Sequence, residues 1–295
     1  MFKNFFKFLP FVFILLIFLV PQDVFTQEVS SGSILKTMKV EKNRSQYLKS
    51  ENTPLALIPG DLAYGWEGIS LDVISMPMPA GTPFTDIGDW SPPTFGASAV
   101  RGGDGNYYFL DIAPALYQLD PSTGTVYRVG PITGMGIDQP NGLSYNPANG
   151  NYYMVSTNDF YSLDIHTLVA THIGPLNNGA GLMIDLCFSS TGTCYAYDLG
   201  LDNSGTINLA TGNYTVLGPL GSDANYGQRM DVDQATGTVY LSAFNNTTVT
   251  GQLRTLNTTT GATTLVLDWG FAQVAPFAIN NEYPALPGPG YATSV

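Results

Sequence analysis

A period of about 44 residues runs through most of this chain and limits its possible folds more than any other feature. Val129-Gly130-Pro131, Ile173-Gly174-Pro175 and Leu217-Gly218-Pro219 repeat one tripeptide type at steps of 44. A tyrosine follows a turn glycine at Tyr108, Tyr153, Tyr195 and Tyr240, and Asp120, Asp164 and Asn208 close a third segment at nearly the same spacing. The fullest copy spans 141–175 and reads as four short strands. Four strands in a repeat of roughly 40–50 residues is the pattern of a propeller blade.

Blade 2 is read at Phe95–Arg101, Asn106–Asp111, Ala115–Asp120 and Thr125–Val129, and blade 3 is the copy above. Blade 4 covers Gly181–Phe188, Thr193–Asp198, Thr206–Leu209 and Asn213–Leu217. Blade 5 covers Gln228–Asp233, Thr238–Ala243, Gln252–Asn257 and Ala262–Asp268. Blade 1 shows only Leu62–Trp66, Ile69–Met76 and Phe84–Gly88, and it lacks a first strand. Gln273–Ile279 is a strand without a blade. An open sheet edge leaves backbone groups unpaired. The expected fold is therefore all-β, a five-bladed β-propeller closed by a C-terminal strand that completes blade 1. A ring of six or seven blades, finished by a further portion or a partner, is the competing arrangement.

The flanks differ from the repeat. Residues 1–26 carry Lys3 and Lys7, an apolar run from Leu9 to Val20 and then a polar turn, which is the pattern of a secretory signal peptide. Residues 27–53 are polar and basic and read as a flexible leader. Residues 54–283 hold the propeller, and the Pro/Gly-rich 284–295 reads as the start of a linker to a further domain. The expected location is extracellular or at the cell surface, with no stable membrane insertion once the signal is removed.

Every Lys lies at or before Lys49, and from Pro54 onward four Arg face 19 Asp and Glu, a net of −15. Such a domain repels phosphate backbones, so no nucleic-acid partner is expected. An acidic surface keeps the protein soluble, or else receives cations or cationic partners.

In a blade, first-to-second and third-to-fourth strand turns share one face; interblade and second-to-third connections share the other. The first set is tight and uniform, as in Asn146–Gly150, Asp120–Gly124 and Asn208–Gly212, with Asp or Asn capping and Gly supplying positive φ. The second set varies in length and composition, and variable loops on a rigid scaffold are where binding resides. Candidate lining residues of that face are Trp90, Asp138, Asn141, Asn178, Asp223, Asn225, Tyr226, Gln228 and Arg229.

Cys187 and Cys194 flank the turn 188–193. Pairing Phe188 with Thr193 sets them opposite each other, so a disulfide is expected in an exported protein. His166 and His172 fall in the last hairpin of blade 3 and are placed on the tight-turn face, away from the candidate pocket. No catalytic or metal-ligating set stands out, and no cofactor is expected, although the Asp-rich loops could hold calcium. A glycosidase needs two carboxylates flanking one bond. Glu67 is the one Glu on the loop-rich face, with Asp138, Asp202 and Asp223 as conceivable partners.

Asn141-Gly-Leu-Ser-Tyr-Asn-Pro147, Leu116-Tyr-Gln-Leu-Asp-Pro-Ser-Thr-Gly124 and the closing Val129-Gly-Pro131 resemble secreted bacterial propeller repeats of the NHL, YVTN and quinoprotein-like kind. The resemblance covers about residues 55–282. More narrowly, these blades look like propellers of exported Bacteroidota multidomain proteins, which often precede immunoglobulin-like modules and a C-terminal sorting domain. The resemblance implies a propeller fold and leaves the role open. The expected role is a non-catalytic module that binds a protein or glycan through the loop-rich face. The alternative is an extracellular hydrolase, glycan-active or metal-dependent, with acidic residues at the channel mouth.

Overall fold

The structure, a computed structural model, describes residues 60–136, 138–179 and 181–283. The expected signal peptide, basic leader and C-terminal linker lie outside the described residues. Twenty strands form five antiparallel four-stranded sheets, a five-bladed β-propeller without helices among the described residues. Blade 1 contains β1–β3 (Leu62–Glu67, Asp72–Pro77, Thr85–Asp89). Blade 2 contains β4–β7 (Gly96–Arg101, Tyr107–Asp111, Ala115–Asp120, Thr125–Pro131), and blade 3 β8–β11 (Gly142–Tyr145, Tyr152–Val155, Asp159–Asp164, Val169–Pro175). Blade 4 contains β12–β15 (Met183–Phe188, Cys194–Asp198, Asn203–Ile207, Tyr214–Pro219), and blade 5 β16–β19 (Arg229–Asp233, Thr238–Asn245, Thr250–Leu256, Thr263–Asp268).

The last strand, β20 (Val274–Ile279), pairs antiparallel with β1 through Ala63↔Ile279, Tyr64↔Ala278 and Gly65↔Phe277. It supplies the missing first strand of blade 1. The innermost strands β20, β4, β8, β12 and β16 neighbour one another in turn, and β16 returns to β20, so the ring closes at five. All six residues of β20 are buried. A strand that is buried on both faces has no use for polar alternation, which is why Val274-Ala-Pro-Phe-Ala-Ile279 reads as a continuous apolar run.

Each blade packs both faces on its neighbours. Ile184, Cys187, Tyr197, Met230, Val232 and Leu241 fill one side of blade 4 against blade 5. Val155, Phe160, Met183, Leu186, Phe188 and Cys194 fill the other side against blade 3. The outermost strands turn one row outward, so Tyr127 and Val129 on β7 and Val216 on β15 are exposed.

The turn chemistry follows the sequence expectation. Asp120, Asn146, Asp164, Asn208, Asp233 and Asn257 each accept the backbone N–H two residues on. Two strand starts differ from the sequence reading by three residues. The third strand of blade 4 begins at Asn203, three residues earlier than the sequence suggests. The second strand of blade 1 begins at Asp72, which leaves Ile69 and Leu71 exposed in a turn.

The two cysteines are a correction. β12 pairs with β13 through Phe188↔Cys194 and Cys187↔Tyr195, not Phe188 with Thr193. The turn holds five residues, with Ser189 donating to the Thr193 carbonyl at 3.0 Å. A slip of one residue exchanges the two faces of a strand. Cys187 therefore points toward blade 5 and Cys194 toward blade 3, and both are free, buried thiols. Burial pushes both thiols above their usual range.

Candidate functional site

The inner strands begin on the loop-rich face and carry an unexpected set of polar groups down the axis. Asp185, on β12, is fully buried. Its Oδ2 accepts the Met230 backbone N–H of blade 5 at 2.8 Å, and its Oδ1 lies 3.2 Å from Ser98 Oγ of blade 2. Ser98 Oγ in turn accepts the Leu143 N–H of blade 3 at 3.1 Å and lies 3.3 Å from the Leu143 carbonyl. Asp231, on β16, accepts the Ile279 N–H of the closing strand at 2.8 Å. These contacts tie all five inner strands together across the axis.

Burial raises the Asp185 carboxyl to about 8, opposed by the charge of Arg229, and raises Asp231 to about 7, opposed by its backbone hydrogen bonds. Removing a carboxylate from water disfavours its charged form. A proton on Asp185 also fits the geometry. Protonated Oδ1 donates to Ser98 Oγ, and the single Ser98 proton is then free for the Leu143 carbonyl.

Arg229 and Gln228, expected at the rim, form the floor beneath it. Arg229 is 2 % exposed; its guanidinium donates to the Gln228 carbonyl and, at 3.4 Å, to the Gly96 carbonyl of blade 2. Burial lowers its pKa, while Asp185 works in the opposite direction. Gln228 is fully buried, and its amide donates to the Asn225 carbonyl. Asn225 is also buried and bonds Asn246 at 3.1 Å. Asn178 bonds Asp198 at 2.8 Å, and Asn141 bonds the Met183 carbonyl at 2.8 Å. These five side chains hold loops and strands together.

Trp90, Asp138, Asp223 and Tyr226 remain partly open to solvent. Trp90 stacks on Trp66 at 5.1 Å over the seam between blades 1 and 2. Asp138 accepts the Tyr161 hydroxyl of blade 3, and Asp223 accepts Asn246 at 3.3 Å. Tyr226 holds φ near +60°, with its ring against Phe244.

The carboxylates closest to a catalytic role are engaged by backbone and hydroxyl groups of their own and adjoining loops. Glu67 accepts the backbone N–H groups of Ile69, Ser70 and Gln273. Asp111 accepts those of Ala113 and Ala115, together with the Thr94 and Tyr117 hydroxyls. Asp198 accepts those of Leu182 and Leu201, and Asp202 that of Ala224. No group of three or more His, Cys, Asp or Glu capable of holding a metal occurs among the described residues.

Beyond the axial polar groups, two further features depart from the sequence reading. Asp72, Asp86 and Asp89 gather on the outer rim of blade 1; Asp72 is raised by burial and then by its carboxylate neighbours Asp86, Glu67 and Asp89. The signal was the Asp86–Asp89 spacing in a strand end, which only the register Asp72↔Asp89 gives meaning. His172 lies toward the loop-rich side and not the tight-turn face, because its Nε2 reaches Asp159 at 2.8 Å where β10 begins.

No protein-family model matches the chain, and no curated protein matches it. Solved structures do. A nidogen/laminin complex chain superposes at TM-score 0.50 and 12 % identity, covering 76 % of this chain and 99 % of that one. A protein of unknown function from Bacteroides thetaiotaomicron gives 0.50 at 15 % identity over 77 % of this chain, which spans 64 % of that protein's length. A streptogramin B lyase gives 0.43 at 15 % identity over 72 % of this chain and 70 % of that one. At such identities the likeness to the first two reaches the propeller fold and stops there.

Proposed function

We propose that this chain is an exported, non-catalytic binding propeller that engages a protein or glycan through its loop-rich face. One observation carries the reading. Glu67, Asp111, Asp198 and Asp202 on that face are occupied by backbone N–H groups of their own and adjoining loops, while large apolar side chains stand exposed on the connecting loops. Paired-carboxylate hydrolysis needs two carboxyl groups facing one bond, and Glu67 is turned into backbone. A rigid, repeated ring that carries loops of differing length and composition suits recognition.

The test is a screen of the purified propeller against immobilised glycans and secreted proteins, paired with turnover assays on chromogenic glycosides. Saturable binding without turnover is expected. Turnover abolished by Glu67→Gln in a folded variant would replace this reading with the hydrolase alternative.

A further inference from the structure

We infer that the loops over blades 4, 5 and 1 form a docking surface for a basic, amphipathic protein segment, one that presents apolar side chains between cationic ones. The inference rests on the loop-rich face being the binding face and names the partner it takes.

Exposed large apolar side chains are distributed unevenly. Among the described residues they lie on outermost strands or on loop-rich connections, and none lies in a tight turn. The loop set is Ile69 and Leu71 of blade 1, Leu201 of blade 4, Val249 of blade 5 and Phe271 in the connection into β20. Phe271 is 70 % exposed and Val249 51 %. Scattered single apolar residues on a surface mean little, but a contiguous group marks an interaction site.

The loops that carry these five are hydrogen-bonded to one another in a belt. The blade 4 loop meets the next connection through Ala224 N–H to Asp202, 2.8 Å. That connection meets the blade 5 loop through Asn246 N–H to Asp223 O, 2.7 Å. The blade 5 loop meets the connection into β20 through Gly251 N–H to Gly270 O, 2.7 Å. The last link is Gly68 N–H to Gln273 O, 2.8 Å, into the blade 1 loop.

A second observation is independent of exposure. Nine turns among the described residues close with a backbone bond from their fifth residue to the carbonyl of their first, and the fifth residue always has positive φ. Six of them end in Gly, as φ > 0 favours; the others end in Leu71, Leu168 and Val249. Leu168 is buried against Gly130 of the neighbouring blade, so packing accounts for it. Leu71 and Val249 face solvent at φ of 65° and 58°. A β-branched residue in this region is a genuine outlier. Folding gains nothing from an exposed apolar side chain held in a strained conformation, and strain of this kind gathers at functional sites.

Charge selects the occupant. The belt loops at 67–72, 198–203, 220–228, 245–250 and 268–273 contain no Lys, Arg or His. Asp72 and Asp268 lie within them, and Asp86 and Asp89 of β3 stand beside Asp72. A second copy of so acidic a face would repel the first, whereas a segment alternating cations with apolar side chains satisfies both features.

The test uses two synthetic peptides, one of alternating Lys and Leu and one of alternating Lys and Ser, titrated against the full chain and against Leu71→Gly/Val249→Gly. The Lys/Leu peptide is expected to bind, and the Lys/Ser peptide to bind at least ten-fold more weakly. The double variant should lose at least ten-fold in affinity while melting at the same or a higher temperature. Leu71→Asn/Val249→Asn, which keeps residues tolerant of this φ, should behave alike. Absence of Lys/Leu binding, equal affinity of the two peptides, or an unchanged affinity in both folded variants overturns the inference. If a screened glycan or protein still binds and is lost on Asp138→Asn, the inference fails alone. If no loop-face substitution affects any ligand, the binding-face reading fails with it.

Discussion

Gly174 in the outer strand of blade 3 and Gly212 in the turn of blade 4 meet through bare backbone. A Cβ on Gly174 would sit 2.2 Å from the Thr211 carbonyl oxygen, and one on Gly212 would sit 2.6 Å from the Gly174 carbonyl oxygen. Gly88 with Gly124, and Gly218 with Gly261, repeat the contact. Next to Gly88, Gly174 and Gly218 the ladder skips one residue. Such a bulge bends the outer strand toward the neighbouring blade. The 44-residue period therefore records the spacing of blade seams.

A paired substitution separates seam contact from φ strain. Gly212 has φ 79° and lies in a seam; Gly237 has φ 73°, and a Cβ there would meet nothing within 4 Å. Gly237→Ala should cost about 1 kcal/mol from the backbone alone. Gly212→Ala should cost about 2 kcal/mol more, since the blocking atoms are backbone and cannot rotate away. Denaturant unfolding measures both, and equal losses would remove the seam from the explanation.

Stability should fall as pH rises through the neutral range. The carboxyls of Asp185 and Asp231 are raised to about 8 and about 7 in the folded chain, against an ordinary value of 3.8. A raised folded-state value gives stability that is complete below the ordinary value and is lost as pH climbs through the folded one. The melting temperature is expected to drop by several degrees between roughly pH 5 and pH 8 and to level off above that. Asp185→Asn keeps an acceptor for Met230 and a donor for Ser98, so it should fold and show a shallower pH dependence. A flat profile in the parent chain would contradict the neutral axial carboxyls.

The thiols should be silent until the chain unfolds. Cys187 and Cys194 face opposite sides of blade 4 and are buried. Alkylation in native buffer without reductant should modify neither, and alkylation in denaturant without reductant should modify both. A fully oxidised mass after denaturation would restore the bond expected from sequence.

Removing the closing strand should abolish the ring. A chain ending at Gln273 lacks Phe277 and Ile279, both completely buried, and leaves β1 unpaired along one edge. Such a truncation should lose its cooperative thermal transition and associate. A soluble monomer with an unchanged melting curve would show that four complete blades and one partial blade suffice.

The ring was legible in sequence because every blade needs the same capped turn, the same buried tyrosine strand and the same seam glycine. Each landmark repeats even where the strands between have diverged. The Phe188–Cys194 register was not legible, because the number of residues in the Ser189–Thr193 turn decides it and either count uses the same residues. Arg229 and Gln228 look like rim residues because polar side chains usually face water; their burial depends on inner strands from three blades converging on the axis. Asp185 and Asp231 did leave a trace, each a carboxylate set between two apolar neighbours inside an innermost strand. Leu71 and Val249 were hidden differently. Nothing local distinguishes them from Gly at the same turn position until their backbone angles and exposure are known.

Hydrogen exchange of the full chain, with and without a saturating Lys/Leu peptide, reads the location of binding directly. Protection is expected at residues 67–72, 198–203, 245–251 and 268–273, with the tight turns at 102–106, 120–124 and 146–150 unchanged. Protection centred on those tight turns, with the belt loops unaffected, would place binding on the opposite face and contradict the assignment.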